Sequence, residues 1–342
     1  MTKKRYYWLD ILKIVACYLI VVNHTGGYIV EFMGKDSLGA NLFFSIQFVI
    51  CKIGVPIFIM TTGYLLLTKN YNFKDVLKKI YRISVPLILF SIFIYWSWYG
   101  IGFNRIDKFI ITFIKEPLII PYWYLYMLIG LYLVTPFVQK MIKNFSMNDF
   151  RNFIIICVLI PATLPIFSLY FNFSFNEYFV AAIFPIYIGY YVAGIYLSKL
   201  ELTKKNRNIA LILFTVSLVL FFLSMFVPYM INNKLDLRLD SCAFITTALP
   251  ALSFFYLIRY YFENRKFKAK TAKILTELSL VSFGIYLIHM FINKRLYYMT
   301  FIQNIFEFNS YIGIVTIQLL TFVIAGLFIY ILRKIPIIKK FL

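Results

Sequence analysis

Charged residues are scarce in this sequence, and their scarcity excludes a soluble globular protein. Asp, Glu, Lys and Arg make up only 14% of the 342 residues, whereas 62% are hydrophobic. The four cysteines lie in apolar segments without the spacing of metal ligands, so they indicate neither a disulfide framework nor a metal site. The chain also lacks an internal repeat and a low-complexity linker. We therefore expect an all-α, polytopic membrane protein that forms a single domain over residues 1–342.

Ten apolar stretches are long enough to cross a bilayer as helices, with some tilt. Their approximate limits are 7–29, 42–67, 83–102, 118–139, 152–170, 179–197, 208–230, 241–260, 274–294 and 310–332. If the N-terminus lies inside, 25 of the 35 Lys and Arg residues fall in cytoplasmic loops, so the positive-inside rule predicts an N-in, C-in, multi-pass protein of the cell membrane. The net charge of +21 then reflects topology in the lipid bilayer, and no nucleic-acid partner is expected.

Segment 103–117 differs from these spans because it is too short and too charged to cross the bilayer. Its sequence, FNRIDKFIITFIKEP, mixes apolar residues with basic and acidic ones. This pattern predicts an amphipathic helix that lies on the outer surface of the membrane.

The first apolar stretch, from Tyr6 to Gly27, contains three ionisable side chains, namely Asp10, Lys13 and His24. Ionisable groups are costly inside a bilayer and usually mark a functional site. Lys13 and His24 are eleven residues apart, so both project from one face of a helix, separated by about 16 Å along its axis. Asp10 can pair with Lys13 three residues later, which leaves His24 as the titratable member of the row.

Two further polar side chains are predicted to reach a similar depth in the membrane. His289 lies about fifteen residues past the cytoplasmic start of the ninth span, and Lys52 lies within the second. An intramembrane histidine can also bridge helices through hydrogen bonds, and Lys52 can also extend its ammonium group to the outer interface. Both alternatives remain open from the sequence.

Four motifs in order resemble the acyltransferase family 3 membrane proteins. They are the opening stretch with a basic residue ahead of a histidine, GVPIFIMTTGYLLL at 54–67, PYWYLYMLIGLYLVTPF at 121–137 and SFGIYLIH at 282–289. The resemblance covers nearly the whole chain. It implies a stand-alone enzyme of ten helices that transfers an acyl group, usually acetyl, from cytoplasmic acyl-CoA to a hydroxyl of a surface polysaccharide or lipid-linked glycan. Acetyl-CoA would be the donor substrate, and no permanently bound cofactor is expected.

The resemblance also assigns residues to the donor side of the reaction. The family's arginine and histidine motif falls on Lys13 and His24, where lysine keeps the positive charge but lacks the planar fork of arginine. The family's cytoplasmic arginine pair falls on Lys79 and Arg82, a run whose charge membrane topology alone would also explain. Lys13, Lys79 and Arg82 are thus expected to hold the CoA phosphates.

On the acceptor side, the resemblance implies that His24 removes the proton from the acceptor hydroxyl or carries the acyl group itself. His289 would stabilise the oxyanion or orient the acceptor. Family members often have a histidine before the tryptophan of the fourth span, whereas Tyr122 precedes Trp123 here. Those two residues and Lys52 are candidates for binding the acceptor, although the aromatic pair also fits an interfacial aromatic belt.

Two other classes of function remain open. A row of Asp10, Lys13 and His24 inside the membrane could relay protons in a proton-coupled transporter. The lack of a detectable repeat and the small number of other buried acids disfavour this alternative. A structural or scaffolding role is the third.

Overall fold

The structure, a computed structural model, describes residues 5–25, 38–100, 106–176, 186–232 and 236–342. The described residues form helices and connecting turns, and no strand occurs among them. The helices are α1 (Tyr7–His24), α2 (Leu38–Cys51), α3 (Gly54–Leu67), α4 (Phe73–Tyr99), α5 (Ile106–Lys115), α6 (Trp123–Ile142), α7 (Met147–Ile154), α8 (Ile160–Phe171), α9 (Ile186–Lys199), α10 (Lys204–Asn232), α11 (Ile245–Phe262), α12 (Ala269–Tyr297), α13 (Thr300–Phe308), α14 (Ser310–Leu332) and α15 (Pro336–Lys339). A 3-10 turn, Ile120–Tyr122, precedes α6, and a π-helical segment, Ile155–Leu159, joins α7 to α8.

Eight helical stretches within the described residues are long and apolar enough to cross a membrane. They confirm the all-α, polytopic membrane fold expected from the composition. The two other predicted spans correspond to α9, whose predicted start lies outside the described residues, and to α11, which carries Arg259 and several tyrosines. The total of ten spans and the N-in orientation therefore stay predictions.

The chain divides into two compact units, each built from two separate segments. The first unit comprises Met1–Lys69 and Lys140–Ser279, and the second comprises Asn70–Gln139 and Leu280–Leu342. Helix α12 begins in the first unit and continues into the second. The single domain over residues 1–342 stays a prediction.

The second predicted span is a helix that breaks near its middle. Helix α2 ends at Cys51 and α3 begins at Gly54, which leaves Lys52 at the break. A continuous helix would need the Pro56 N–H to bind the Lys52 carbonyl, and proline has no N–H. As the third residue of α3, Pro56 lies in the first turn, where N–H groups have no partner within the helix. The GVP sequence therefore sets the break and places Lys52 there.

Helices α3 and α9 pack closely in the first unit because glycines face the contact. A Cβ atom on Gly63 would overlap the carbonyl oxygen of Tyr191, and one on Gly194 would overlap the carbonyl oxygen of Met60. Small residues allow such close approach of helix backbones in membrane proteins, where packing rather than water exclusion drives association.

Helix α11 supports the C-terminal end of α9 through Arg259. The buried Arg259 guanidinium donates to the carbonyl oxygens of Leu197 and Leu200, at 2.9 and 2.7 Å, and its Nε lies 2.9 Å from the Glu263 carboxylate. A cation at a helix C-terminus satisfies carbonyl groups that have no partner within the helix. Arg259 therefore has a structural role beyond its contribution to the positive loop charge.

The amphipathic helix expected over 103–117 forms as α5. Residues 101–105 lie outside the described residues, and the position of α5 on the outer surface remains a prediction. A row of aromatic rings joins α5 to its neighbours in the second unit. Phe109 packs on Tyr95 of α4 with ring centroids 5.3 Å apart, and Phe113 packs on Tyr126 of α6 at 5.8 Å.

Candidate functional site

Lys13 and His24 lie on one continuous helix, as the sequence predicts. Helix α1 runs from Tyr7 to His24 without a break, so the two side chains are about 16 Å apart along its axis. Both side chains are half-buried, and His24 is the last residue of the helix. The remainder of the predicted span, from Gly26 onward, lies outside the described residues.

At the start of α1, Asp10 is bound by Arg5 rather than by the predicted Lys13. The Arg5 guanidinium donates through Nε at 2.7 Å and through Nη2 at 3.0 Å to the two oxygens of the buried carboxylate. Two parallel hydrogen bonds match the planar fork of arginine, which the single ammonium of lysine cannot reproduce. Lys13 is attracted by Asp10 and repelled by Arg5 and Lys69. Arg5, Lys69 and the Asp10 carboxylate thus lie within electrostatic range of Lys13, and the net charge of these four residues is positive.

At the other end of α1, the Lys52 ammonium connects three parts of the first unit. Its Nζ donates to Asn23 Oδ1 on α1 at 2.7 Å and lies 2.5 Å from Asp240 Oδ1 in the loop before α11. The same nitrogen lies 3.8 Å from the centre of the Phe48 ring on α2. The side chain of Lys52 is only 8% exposed. The Lys52 node, meaning Lys52, Asn23, Asp240 and Phe48, is thus an ion-pair cluster at the end of α1. The extension of Lys52 toward the outer interface stays a prediction.

This node also changes the interpretation of Lys52 as an acceptor-binding residue. Two of the three ammonium protons are engaged by Asn23 and Asp240. Asn23 directly precedes His24. Thr25, the residue after His24, donates a hydrogen bond from its hydroxyl to the Val22 carbonyl at 2.6 Å. The node therefore fixes the end of α1 from which the His24 side chain projects. Binding of an acceptor by Lys52 stays a prediction.

The loop that supplies Asp240 is itself held in place. Leu239 is buried in a cluster with Phe48 and residues of α10. Arg238 donates to the Asp236 carboxylate at 2.6 Å and to the Leu169 carbonyl at 2.8 Å. The Arg238 guanidinium holds the pKa of the Asp236 carboxyl below its usual range by hydrogen bonding. The loop that carries Asp240 is thus fixed by the burial of Leu239 and by the hydrogen bonds of Arg238.

Sequence reasoning missed Asn23 and Asp240 as members of the site. Asn23 had a local signal, since a second polar residue stands beside His24 at the end of an apolar helix. Asp240 had none, because it is far from Lys52 in the chain and its loop is one of several between spans. Lys52 and Asp240 are far apart in the chain, and only folding brings them together.

In the second unit, His289 is completely buried on α12. Its Nδ1 lies 2.6 Å from the carbonyl oxygen of Tyr286, one turn earlier. A carbonyl only accepts hydrogen bonds, so Nδ1 carries the proton, and Nε2 of the neutral ring bears a lone pair. A neutral His289 in this tautomer can accept a proton or hydrogen bond at Nε2 but cannot donate one to an oxyanion. The oxyanion-stabilising role therefore requires the charged ring, and the role of orienting an acceptor stays a prediction.

His289 belongs to a polar face of α12 that sequence reasoning identified only in part. Ser282, Tyr286, His289 and Asn293 are spaced by three or four residues, so they share one face of the helix, and all four are buried. The spacing was visible in SFGIYLIHMFIN. A buried polar face is typical of helices that line a functional interior or make interhelical hydrogen bonds.

Tyr122 lies in the interior of the second unit, where it connects the 3-10 turn to α12. It is fully buried, and its hydroxyl donates to the Leu287 carbonyl at 2.8 Å. In return, the Tyr286 hydroxyl donates to the Pro121 carbonyl. These reciprocal bonds join the 3-10 turn to α12. The Tyr122 ring is shielded in this structure, whereas the Trp123 side chain is half-buried. Binding of the acceptor by either residue stays a prediction.

Lys79 and Arg82 lie near the beginning of α4, as predicted. Asn72 caps this helix by accepting a hydrogen bond from the Asp75 N–H at 2.9 Å. Lys79 and Arg82 are three residues apart and thus share a face. The Lys79 ammonium lies 4.9 Å from the centre of the Tyr71 ring, and Arg82 is exposed. The contact of these residues with phosphate stays a prediction.

Comparison with known proteins gives one match. The family model described as the acyltransferase domain of acyltransferase family 3 matches residues 6–337, which is nearly the whole chain. Searches of curated proteins and of solved structures returned no significant match. The matched region includes α1 with Lys13 and His24, the broken second span and the polar face of α12. The chain therefore belongs to acyltransferase family 3, a family of membrane-bound acyltransferases.

Proposed function

We propose that this protein is a membrane O-acyltransferase that moves an acetyl group from cytoplasmic acetyl-CoA to a hydroxyl of a cell-surface polysaccharide or lipid-linked glycan. The observation that carries the proposal is the arrangement on α1. An excess of positive charge at the beginning of the helix is suited to the donor phosphates, and a half-buried histidine ends the same helix about 16 Å away.

The donor is assigned to the basic end of α1. Arg5 satisfies Asp10 with two hydrogen bonds, so Lys13 need not neutralise that carboxylate and can bind a CoA phosphate instead. Lys79 and Arg82 on α4 are separate candidates for binding CoA phosphates. On the orientation predicted from charge, both sets are on the cytoplasmic side, where acyl-CoA is available.

His24 is assigned the proton transfer. It takes the proton from the acceptor hydroxyl as that oxygen attacks the thioester carbonyl. The carbon–sulfur bond breaks, and the leaving CoA thiolate takes up the proton, so the products are an ester and free CoA. In the second route, the imidazole nitrogen attacks the thioester carbonyl and expels the CoA thiolate, which takes up the imidazole proton. The acceptor oxygen then attacks the acyl-histidine, and the hydroxyl proton returns to the imidazole as the carbon–nitrogen bond breaks.

The transporter alternative has less support than the enzyme. A proton relay needs side chains that gain and lose protons in turn. Asp10 is bound by a guanidinium through two hydrogen bonds, and the Lys52 ammonium is paired with Asp240. These ion pairs tie Asp10 and Lys52 to partners outside the row on α1, which gives a relay along that row less support.

Labelled acetyl-CoA tests the class of function directly. The purified protein in nanodiscs is incubated with acetyl-CoA labelled in the acetyl group, with and without the membrane glycan fraction of the source cells. We expect saturable donor binding, slow hydrolysis without acceptor, and label in the glycan when acceptor is present. Absence of both binding and hydrolysis, compared with empty nanodiscs, would contradict the proposal.

A further inference from the structure

A cavity of about 460 Å³ lies in the second unit between the end of α4 and the amphipathic helix α5. Its polar and aromatic lining consists of Tyr95 and Trp98 from α4, Lys108 and Thr112 from α5, and Glu116 directly after α5. The volume is in the range of sites that bind small molecules. None of these residues has a part in the proposed chemistry at His24.

The walls of the cavity are held by aromatic packing. The ring of Phe109 contacts Tyr95 and lies 5.7 Å from Phe113, both distances being between ring centroids, and Phe113 in turn packs on Tyr126. The Tyr126 hydroxyl donates to the carbonyl oxygen of Phe113 at 2.6 Å. These contacts fix the inner face of α5 and leave Lys108 and Thr112 on the side that lines the cavity. A preformed site reduces the ordering cost of binding a ligand.

The lining combines the groups that recognise a sugar. An aromatic ring offers a flat face to the C–H groups of a pyranose, a carboxylate accepts hydrogen bonds from hydroxyls, and an ammonium and a threonine hydroxyl donate to ring and hydroxyl oxygens. Among the described residues, neither Lys108 nor Glu116 forms an ion pair. The Lys294 ammonium lies 4.6 Å from the centre of the Trp98 ring. This cation–π contact restrains the tryptophan.

We propose that this cavity is a saccharide-binding subsite. On the orientation predicted from charge, α5 lies on the outer surface, which is where a surface glycan would arrive. A site for an anionic lipid headgroup would be weakened by Glu116, because a carboxylate repels phosphate. The assignment of this saccharide as the acyl acceptor rests on the proposed function, whereas saccharide binding itself does not.

Saturation-transfer NMR on the full-length protein in nanodiscs tests the subsite. The probes are maltotetraose, cellotetraose and chitotetraose. Trp98→Ala removes the ring, Glu116→Gln removes the acceptor charge, and Tyr298→Ala serves as the matched control, because Tyr298 is 72% exposed and does not line the cavity. The control thus distinguishes the loss of an exposed aromatic ring outside the cavity from the loss of the Trp98 ring, which would contact the sugar.

We expect saturation transfer to at least one probe, with binding weakened about five- to tenfold by Trp98→Ala and also weakened by Glu116→Gln. Tyr298→Ala should bind as the unmodified protein does. No transfer to any probe, or equal transfer with Trp98→Ala, would overturn the subsite. Thermal melting of each variant identifies a folding defect, and the conservative Trp98→Phe should restore binding in part.

Donor hydrolysis keeps this test separate from the test of the proposed function. Trp98→Ala should hydrolyse acetyl-CoA at the rate of the unmodified protein, because the cavity has no contact with the donor in our proposal. Saccharide binding without any acyl transfer would leave the subsite standing and overturn the proposed function. Acyl transfer with an acceptor KM unaffected by Trp98→Ala and Glu116→Gln would overturn the subsite alone.

Discussion

At the scale of single residues, the Lys52 ammonium is held by three contacts in the first unit. It is mostly buried, bound to Asn23 and Asp240, and placed over the Phe48 ring. Removing it would leave the Asp240 carboxylate and the Asn23 amide oxygen without this donor beside His24. We therefore expect Lys52 to be a positioning residue that acts through the end of α1.

Replacing Lys52 with methionine tests this role. We expect turnover to fall several-fold with little change in the affinity for acetyl-CoA, because the His24 end of α1 loses its support while the basic end does not. The loss of unfolding free energy should be about 1–2 kcal/mol, since Asp240 is partly exposed and can regain water. Kinetics that separate kcat from the donor KM provide the measurement. Lys52→Arg, which keeps a donor and a charge, should restore most of the turnover; equal rates for both variants would contradict the role.

Lys13 should behave differently, because Arg5 rather than Lys13 neutralises Asp10. Lys13→Gln should weaken acetyl-CoA binding about tenfold or less, as expected for one charge-assisted phosphate contact, with little loss of stability. Lys13→Arg should retain or improve binding. Arg5→Gln is the contrasting variant, since it leaves the buried Asp10 without its partner and should lower the melting temperature. Equilibrium binding together with thermal melting measures both effects, and unchanged donor affinity in Lys13→Gln would remove Lys13 from the donor site.

The sequence was sufficient to predict single positions on α1 but not their partners. Helical periodicity placed Lys13 and His24 on one face, because that spacing is local. The partner of Asp10 was mispredicted, since a helical rule considers only Lys13 and ignores the residue before the helix. Asp240 and the buried state of Tyr122 depend on long-range packing, which no local pattern encodes.

At the scale of elements, the crossing of α3 and α9 organises the first unit. The two helices approach so closely that carbonyl oxygens occupy the space of a Cβ on Gly63 or Gly194. The motif GVPIFIMTTGYLLL, which resembles the family, includes Gly63 as well as the GVP sequence at the helix break. The motif is therefore explained by backbone geometry as much as by chemistry.

Gly194→Ala tests the crossing. We expect the helices to separate or the protein to lose stability by more than about 2 kcal/mol, because the added methyl meets a backbone atom rather than a flexible side chain. Gly130→Ala on α6 is the matched control. Nothing lies within 4 Å of its added Cβ, so higher helix propensity should leave stability unchanged or raise it by up to about 1 kcal/mol. Equal melting temperatures for the two variants in nanodiscs would contradict the crossing.

The loop that carries Asp240 should respond to acid. Hydrogen bonding from Arg238 lowers the folded-state pKa of the Asp236 carboxyl from its ordinary value of 3.8. The folded state thus favours the ionised form, so the contribution is fully present above pH 3.8 and is lost as the pH falls through the lower folded-state value. Between pH 6 and pH 3, the melting temperature of Asp236→Asn should therefore fall less steeply than that of the unmodified protein. If the melting temperatures of the two proteins fall by the same amount over this pH range, the ionised Asp236 carboxyl does not contribute to stability as described.

At the scale of the whole molecule, the candidate site extends along one helix. The chain belongs to acyltransferase family 3, and α1 carries cations at one end and His24 at the other. The all-α membrane fold was predictable from composition, because a chain with so few charges has no alternative to spanning helices. The break at Lys52 and the division of the chain into two units of two segments each were not predictable, because apolar runs show where spans lie but not which spans pack together.

The most direct test of the central claim compares His24→Ala with the double variant Lys79→Gln/Arg82→Gln, using labelled acetyl-CoA in nanodiscs. We expect His24→Ala to bind acetyl-CoA nearly as tightly as the unmodified protein and to lose acyl transfer to glycan. The double variant should bind the donor more weakly, with a smaller response to salt, because contacts that salt would screen are gone. Thermal melting should match the unmodified protein in both cases. Normal acyl transfer by a stable His24→Ala variant would contradict the account.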